Sequence, residues 1–264
     1  MAKTKFFTIV AGTGFLALLL SGGIWHEDFL TKWGQLSVLS AKASANNFSD
    51  YVPPGGRDRI QRTDGAGSRG CPTGSFGSLT LLIPSDHVGL TATGRPTFSW
   101  YVSSASSMPM QFALVEPGVA KPLLVKQFRS DKSGIVQLEL PQDAPELSVG
   151  KVYRWTVSLL CNDKRPSENI YVRSWIMRVA NPTPTNTQMI SLNSEHTSSA
   201  QILRQSAAIY AQSGIWYDTI ATLSKAYFAD RKDELNYQYF RFLLDRVGLS
   251  QVPISEPQLL VANE

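Results

Sequence analysis

Histidine, cysteine and net charge are all scarce in this 264-residue chain. Three histidines (His26, His87, His196) and two cysteines (Cys71, Cys161) do not supply the three or four ligands, at recognisable spacing, that a zinc site needs. No metal, cofactor or catalytic residue is therefore expected. There is no C-x-x-C, which removes a thioredoxin-like redox couple. Neither a P-loop nor a G-x-S-x-G nucleophile elbow occurs. A Ser–His–acid triad assembled from distant segments stays open in principle, yet no residue pattern points to one. The formal charge is only +4, and outside residues 1–45 it falls to 21 basic against 19 acidic side chains. Nucleic-acid binding calls for a clustered basic face, so no nucleic-acid partner is expected.

What the chain does have begins at its N-terminus. Lys3 and Lys5 precede an uncharged apolar run, Phe6 to Trp25, the layout of an export signal. An A-x-A site at Ala43-Ser44-Ala45 would leave Asn46 first after cleavage. The gap between Leu20 and that site is long for a cleaved signal, and about 20 apolar residues suffice to span a bilayer. Residues 1–45 are thus a signal peptide or a single membrane anchor. With the lysines inside, both readings place the rest of the chain outside the cytoplasm, in the periplasm or envelope.

Export bears on the cysteines. Cys161 lies 90 positions after Cys71, and two lone cysteines in an oxidising compartment are expected to pair. A Cys71–Cys161 bridge is the expectation, with two buried thiols as the alternative.

Residues 46–74, rich in Gly, Pro and Ser without apolar period, read as a flexible linker. From Leu79 the period becomes two. "LTLLIP", "TFSWYV", "QFALVEPG", "LLVKQF", "GIVQLELP", "YRWTVSLLC" and "IYVRSWIMRV" give about seven short strands separated by turn signals. Residues 75–180 are accordingly expected to form an antiparallel β-sandwich, and its "GRPTFSWYV" and "VGKVYRWTV" strands resemble those of immunoglobulin-like or fibronectin-III-like folds. "ANPTPTNTQ" opens a second linker, 181–195. Residues 196–250 carry helical spacing: Leu203, Ala207, Tyr210; Trp216, Ile220, Leu223, Tyr227; Leu235, Tyr239, Phe242. A tetratricopeptide-like hairpin meeting at "SGIWYD" plus a third helix is expected, then a flexible tail over 251–264.

The ordered set "PPGGR", "SRGCP", "LTLLIPSDHVGLTATGRPTFSWYV", "LSVGKVYRWTVSLLC" and "YAQSGIWYDTIATL" resembles a cyanobacterial family called domain of unknown function 928. The likeness runs roughly from residue 50 to 248. It implies an exported cyanobacterial protein without assigned activity, and it carries no catalytic residue with it.

Few single residues then call for function. His87 beside Asp86 in "PSDHVG" reads as a surface turn, and Asp143 and Glu146 as solvated acids before a strand. Trp100, Trp155, Trp175 and Trp216 lie on apolar faces, where core packing is expected. Tyr101 and Tyr171 are off that parity and could form an exposed stacking platform. Together with Trp216 and Tyr217 on the helices they make the candidate interaction surface. The expectation is a non-enzymatic, exported interaction module that binds another envelope protein through its helices. A carbohydrate-binding module for envelope polysaccharide is the alternative, and a hydrolase comes third.

Overall fold

A computed structural model describes residues 48–55, 63–65, 77–162, 164, 165, 167, 169–182 and 198–260, with Thr63–Gly65 described by backbone alone. They belong to one compact unit, Asn46–Glu264. The leader 1–45, Cys71 and most of the linker 181–195 lie outside the described residues.

Among the described residues, ten strands form two sheets. The larger holds β1 (Thr63–Gly65), β3 (Gly89–Thr91), β5 (Ser106–Val115), β6 (Leu124–Ser130), β8 (Val152–Leu159) and β9 (Ile170–Arg178). Its order is β1-β9-β8-β5-β6, with β3 also pairing β9. The smaller, ordered β10-β7-β4-β2, holds β2 (Leu79–Leu81), β4 (Thr97–Val102), β7 (Gly134–Glu139) and β10 (Gln258–Leu259). The expected purely antiparallel pattern is corrected in two places, because β3 runs parallel to β9 and β10 parallel to β7. Neither short strand carries enough alternation to be seen in the sequence; each is recruited by a long neighbour with unpaired backbone groups to satisfy.

Alternation explains the core. Phe98, Trp100 and Val102 of β4 and Phe112 and Leu114 of β5 are fully buried, as are Trp155, Val157 and Leu159 of β8. Phe98 meets Phe112 at 4.9 Å and Trp155 at 5.2 Å between ring centroids, so the two sheets face each other across an aromatic layer. Tilted rings at this separation interact favourably beyond the area they bury.

Three helices follow: α1 (Ser199–Gln212), α2 (Trp216–Ala229) and α3 (Glu234–Arg246). Ser198 caps α1 by accepting from Gln201 N, and Asp233 caps α3 by accepting from Leu235 N. Helix α1 stops where Gly214 takes φ +72°, with Ile215 N bonded to Tyr210 O and Gly214 N to Ala211 O. That is a Schellman ending, and Gly214 is doubly required: a Cβ there would come within 2.8 Å of Val52 O.

The helices dock on the sandwich through the first turn of α2. Trp216 donates from Nε1 to Leu82 O at 2.8 Å. Tyr217 enters the core, with its hydroxyl accepting from Trp155 Nε1 at 2.6 Å and donating to Trp175 O at 3.2 Å. Gly89 makes room for that ring, since a Cβ there would lie 2.6 Å from it. Asp218 accepts from Ala92 N at 3.1 Å. Three consecutive side chains of "WYD" thereby join helix and sheet.

Two stretches expected to be loose are not. Residues 48–55, placed in the linker 46–74 by composition, run as a strap over the helices. Phe48 stacks on Tyr239 at 5.1 Å, Val52 N donates to Ala211 O, and Arg246 grips both carboxylate oxygens of Asp50. The tail from 251 likewise returns to the smaller sheet: Val252 is buried, β10 pairs with β7, and Leu260 N donates to Gln137 O. Low local hydrophobicity concealed both, because each is held by partners far away in sequence.

Candidate functional site

Every inward residue of β9 is set by its partner β8. Val172, Ser174 and Ile176 are buried, so Tyr171, Arg173 and Trp175 project from the outer face of the larger sheet. Register places Arg154 opposite Trp175, Thr156 opposite Arg173 and Ser158 opposite Tyr171. On β5 the same rows continue with Gln111 opposite Ser158 and Ala113 opposite Thr156. Gln127 on β6 stands opposite Gln111 and donates to it at 3.3 Å. Two guanidinium–ring contacts order this face: Arg173 lies 5.3 Å from the Tyr171 centroid and Arg154 5.9 Å from that of Trp175.

The expected site residues are thus redistributed. Tyr171 is half-buried on this outer face. Tyr101, also half-buried, lies on β4 in the other sheet, with its inward neighbours Trp100 and Val102 fully buried. The two tyrosines therefore do not share a platform. Trp216 and Tyr217 are 0% and 3% exposed, which corrects their place in the candidate interaction surface: both are spent on docking α2. Trp175, expected in the core, projects outward instead. The spacing Tyr171-x-Arg173-x-Trp175 was the available signal. A serine on the inward side and the apolar flank "IMRV" obscured which parity faced in.

Cys161 follows β8, is half-buried and packs against the core. Its N–H donates to Asn169 Oδ1 at 2.9 Å across the β8–β9 connection. The expected bridge depends on Cys71, outside the described residues.

Two clefts gather several titratable groups each. One, about 510 Å³, is lined by Tyr51, Ser85, Asp86, His87 and Arg246 among others. His87 is not the surface residue that the turn suggested: it is 2% exposed. Its Nδ1 lies 2.7 Å from Asp86 Oδ1 and its Nε2 2.6 Å from the Tyr51 hydroxyl, which also reaches Gly214 O at 3.3 Å. Burial pushes the Tyr51 phenol well above its ordinary range, so it stays neutral and able to donate. Both ring nitrogens of His87 are therefore engaged. The Asp86–His87–Tyr51 chain clamps the strap to the helix turn.

The second cleft, about 530 Å³, includes Thr93, Arg95, Glu146, Arg178, Tyr210 and Asp218 in its lining. Glu146 takes both arginines, at 3.5 Å from Arg95 and 3.4 Å from Arg178, while Arg95 also donates to Pro141 O and Ala144 O. Burial raises the Asp218 carboxyl above its ordinary value, opposed by hydrogen bonds from Thr91, Ala92 and Thr93. These groups tie loops together rather than converge on a shared point. Among the described residues no cluster of His, Cys, Asp and Glu could hold a metal ion.

One motif escaped the sequence reading. "GAGSRG", Gly65 to Gly70, has the spacing G-x-G-x-x-G. A dinucleotide fingerprint must open a helix after its strand, and residues 66–76 lie outside the described residues.

No curated protein matches the chain. A family described as Domain of Unknown Function (DUF928) matches residues 64–257, from within β1 to the residue before β10, so the match takes in the larger sheet, strands β2, β4 and β7 of the smaller one, and the three helices. The match covers well over half of the chain, and the chain belongs to the DUF928 family.

Proposed function

We propose that the chain works outside the cytoplasm, in the periplasm or cell envelope, as a non-enzymatic binding module that takes its partner on the outer face of the larger sheet. The leader, with Lys3 and Lys5 before an uncharged apolar run, supports the location. The observation that carries the binding surface is the ordered row Tyr171, Arg173, Trp175 and Arg154, aromatic and cationic, projecting from a sheet face. In contrast, the acid–base groups of both clefts are engaged in holding the strap, α2 and the 141–147 loop. The same reading takes the sheets as an immunoglobulin- or fibronectin-III-like scaffold and α1–α2 as tetratricopeptide-like, as the short strands and the helical hairpin suggest.

Sedimentation with isolated envelopes tests it. Wild-type protein should co-sediment, and Tyr171→Ala/Trp175→Ala should lose about tenfold or more in affinity, as loss of two aromatic contacts implies. A double variant that melts like the wild type and still co-sediments equally refutes the surface.

A protein partner on the helices is the second reading, favoured by one cluster. Tyr227 packs on Phe228 at 4.8 Å and on Tyr237 at 5.8 Å, Arg231 covers Phe228, and Leu235 and Tyr237 are exposed. Leu235→Ala/Tyr237→Ala would then lose envelope binding while the sheet variant kept it.

A further inference from the structure

We infer that the ligand of the outer sheet face is an acidic polysaccharide, an inference that rests on the binding-module reading above. The chain as a whole is close to neutral outside its leader, but this face is not. The outward positions of β5, β6, β8 and β9 include Arg129, Arg154 and Arg173 and no aspartate or glutamate. Local charge of one sign on a near-neutral protein points to a ligand of the opposite sign.

The chemistry of the face narrows the anion. Arg154 and Arg173 are diagonal neighbours across the β8–β9 ladder, a spacing of about 7–8 Å between residues, so they suit an anion that repeats. Each guanidinium lies against an aromatic ring. A stacked guanidinium keeps its N–H edge available for planar, bidentate recognition of a carboxylate. The rows beside them carry Thr156, Ser158, Gln111 and Gln127. Hydroxyls and amides both donate and accept, which matches the hydroxyl groups of a sugar ring. From β6 to β9 the face spans three inter-strand steps of about 4.8 Å, and both described clefts lie elsewhere. A broad, shallow, hydroxyl-compatible and cationic surface fits an extended polymer better than a single small anion. A lipid surface fits less well, since the large exposed hydrophobics on these strands are only Val125 and Val152, on non-adjacent strands.

Affinity electrophoresis of the full exported chain in gels containing polygalacturonate, with dextran as the neutral polymer, tests this. Retardation by polygalacturonate and not by dextran is expected, weakening as salt is raised. Arg154→Gln and Arg173→Gln should each weaken retardation about tenfold, and exposed Arg129→Gln, which cannot disturb the core, should weaken it less. Equal retardation by dextran, no retardation by polygalacturonate, or arginine variants that run like the wild type would each overturn the inference. So would binding to phosphatidylglycerol vesicles without binding to polygalacturonate. If polygalacturonate fails while Tyr171→Ala/Trp175→Ala still loses envelope binding, the acidic polysaccharide falls and the binding module stands. If that variant keeps envelope binding as well, both fall.

Discussion

Removing one oxygen atom, by Tyr217→Phe, should cost the protein about 2–4 kcal/mol. The ring is 3% exposed and stays in place, so no cavity opens and the hydrophobic contribution is almost unchanged. What disappears is the hydroxyl that accepts from Trp155 Nε1 at 2.6 Å and donates to Trp175 O at 3.2 Å. The Trp155 indole, 0% exposed, is left as a buried donor without that acceptor, at about 1–3 kcal/mol. The lost bond to the Trp175 carbonyl adds about 0.5–1.5 kcal/mol. For a domain of this size the sum lowers the melting temperature by roughly 5–15 °C. Urea unfolding followed by far-UV circular dichroism and by tryptophan fluorescence is the assay. The two transitions should coincide, because the hydroxyl links helix α2 to both β8 and β9. In a Trp155→Phe background the same substitution should cost about 1–3 kcal/mol less, the mark of a direct partnership. A Tyr217→Phe protein within about 0.5 kcal/mol of wild type would refute the docking, since the hydroxyl would then be facing water.

Other outcomes test the remaining parts. Non-reducing mass spectrometry of the exported protein should show Cys71 joined to Cys161, and reduction should lower stability by up to about 4–5 kcal/mol through loop-closure entropy; two free thiols would end that proposal. Asp218 has a folded pKa raised above 3.8 by burial, so its neutral form is favoured by folding, and the advantage fades as pH rises from 3.8 through the folded value. The stability of wild type relative to Asp218→Asn should therefore fall with rising pH in that window, read from denaturation midpoints, and a flat difference would contradict it. A reporter fused at the C-terminus should be active outside the cytoplasm only, and N-terminal sequencing should find either Asn46 or the intact leader.

Period-two alternation by itself determined most of the larger strands and their inward residues, because a half-buried strand must alternate whatever it pairs with. "YRWTVSL" and "TFSWYV" are legible for that reason, and the three helices follow from their apolar stripes and from Gly214 and Gly248. Where local pattern is weak, distant partners decide. The strap at 48–55 has one buried tyrosine among prolines and polar residues, and it is ordered by Ala211, Tyr239, Arg246 and His87. Strands β3 and β10 exist because β9 and β7 offer them hydrogen bonds. The parity of β9 needed β8 beside it, since Ser174 inside and Trp175 outside invert what hydrophobicity alone suggests. Only packing could move Trp216 and Tyr217 from surface to interior: a helix stripe shows that a residue is covered, not whether the cover is its own sheet or another molecule. The tertiary structure chose the sheet for that pair and left the aromatic and arginine row of Tyr171, Arg173, Trp175 and Arg154 facing outward.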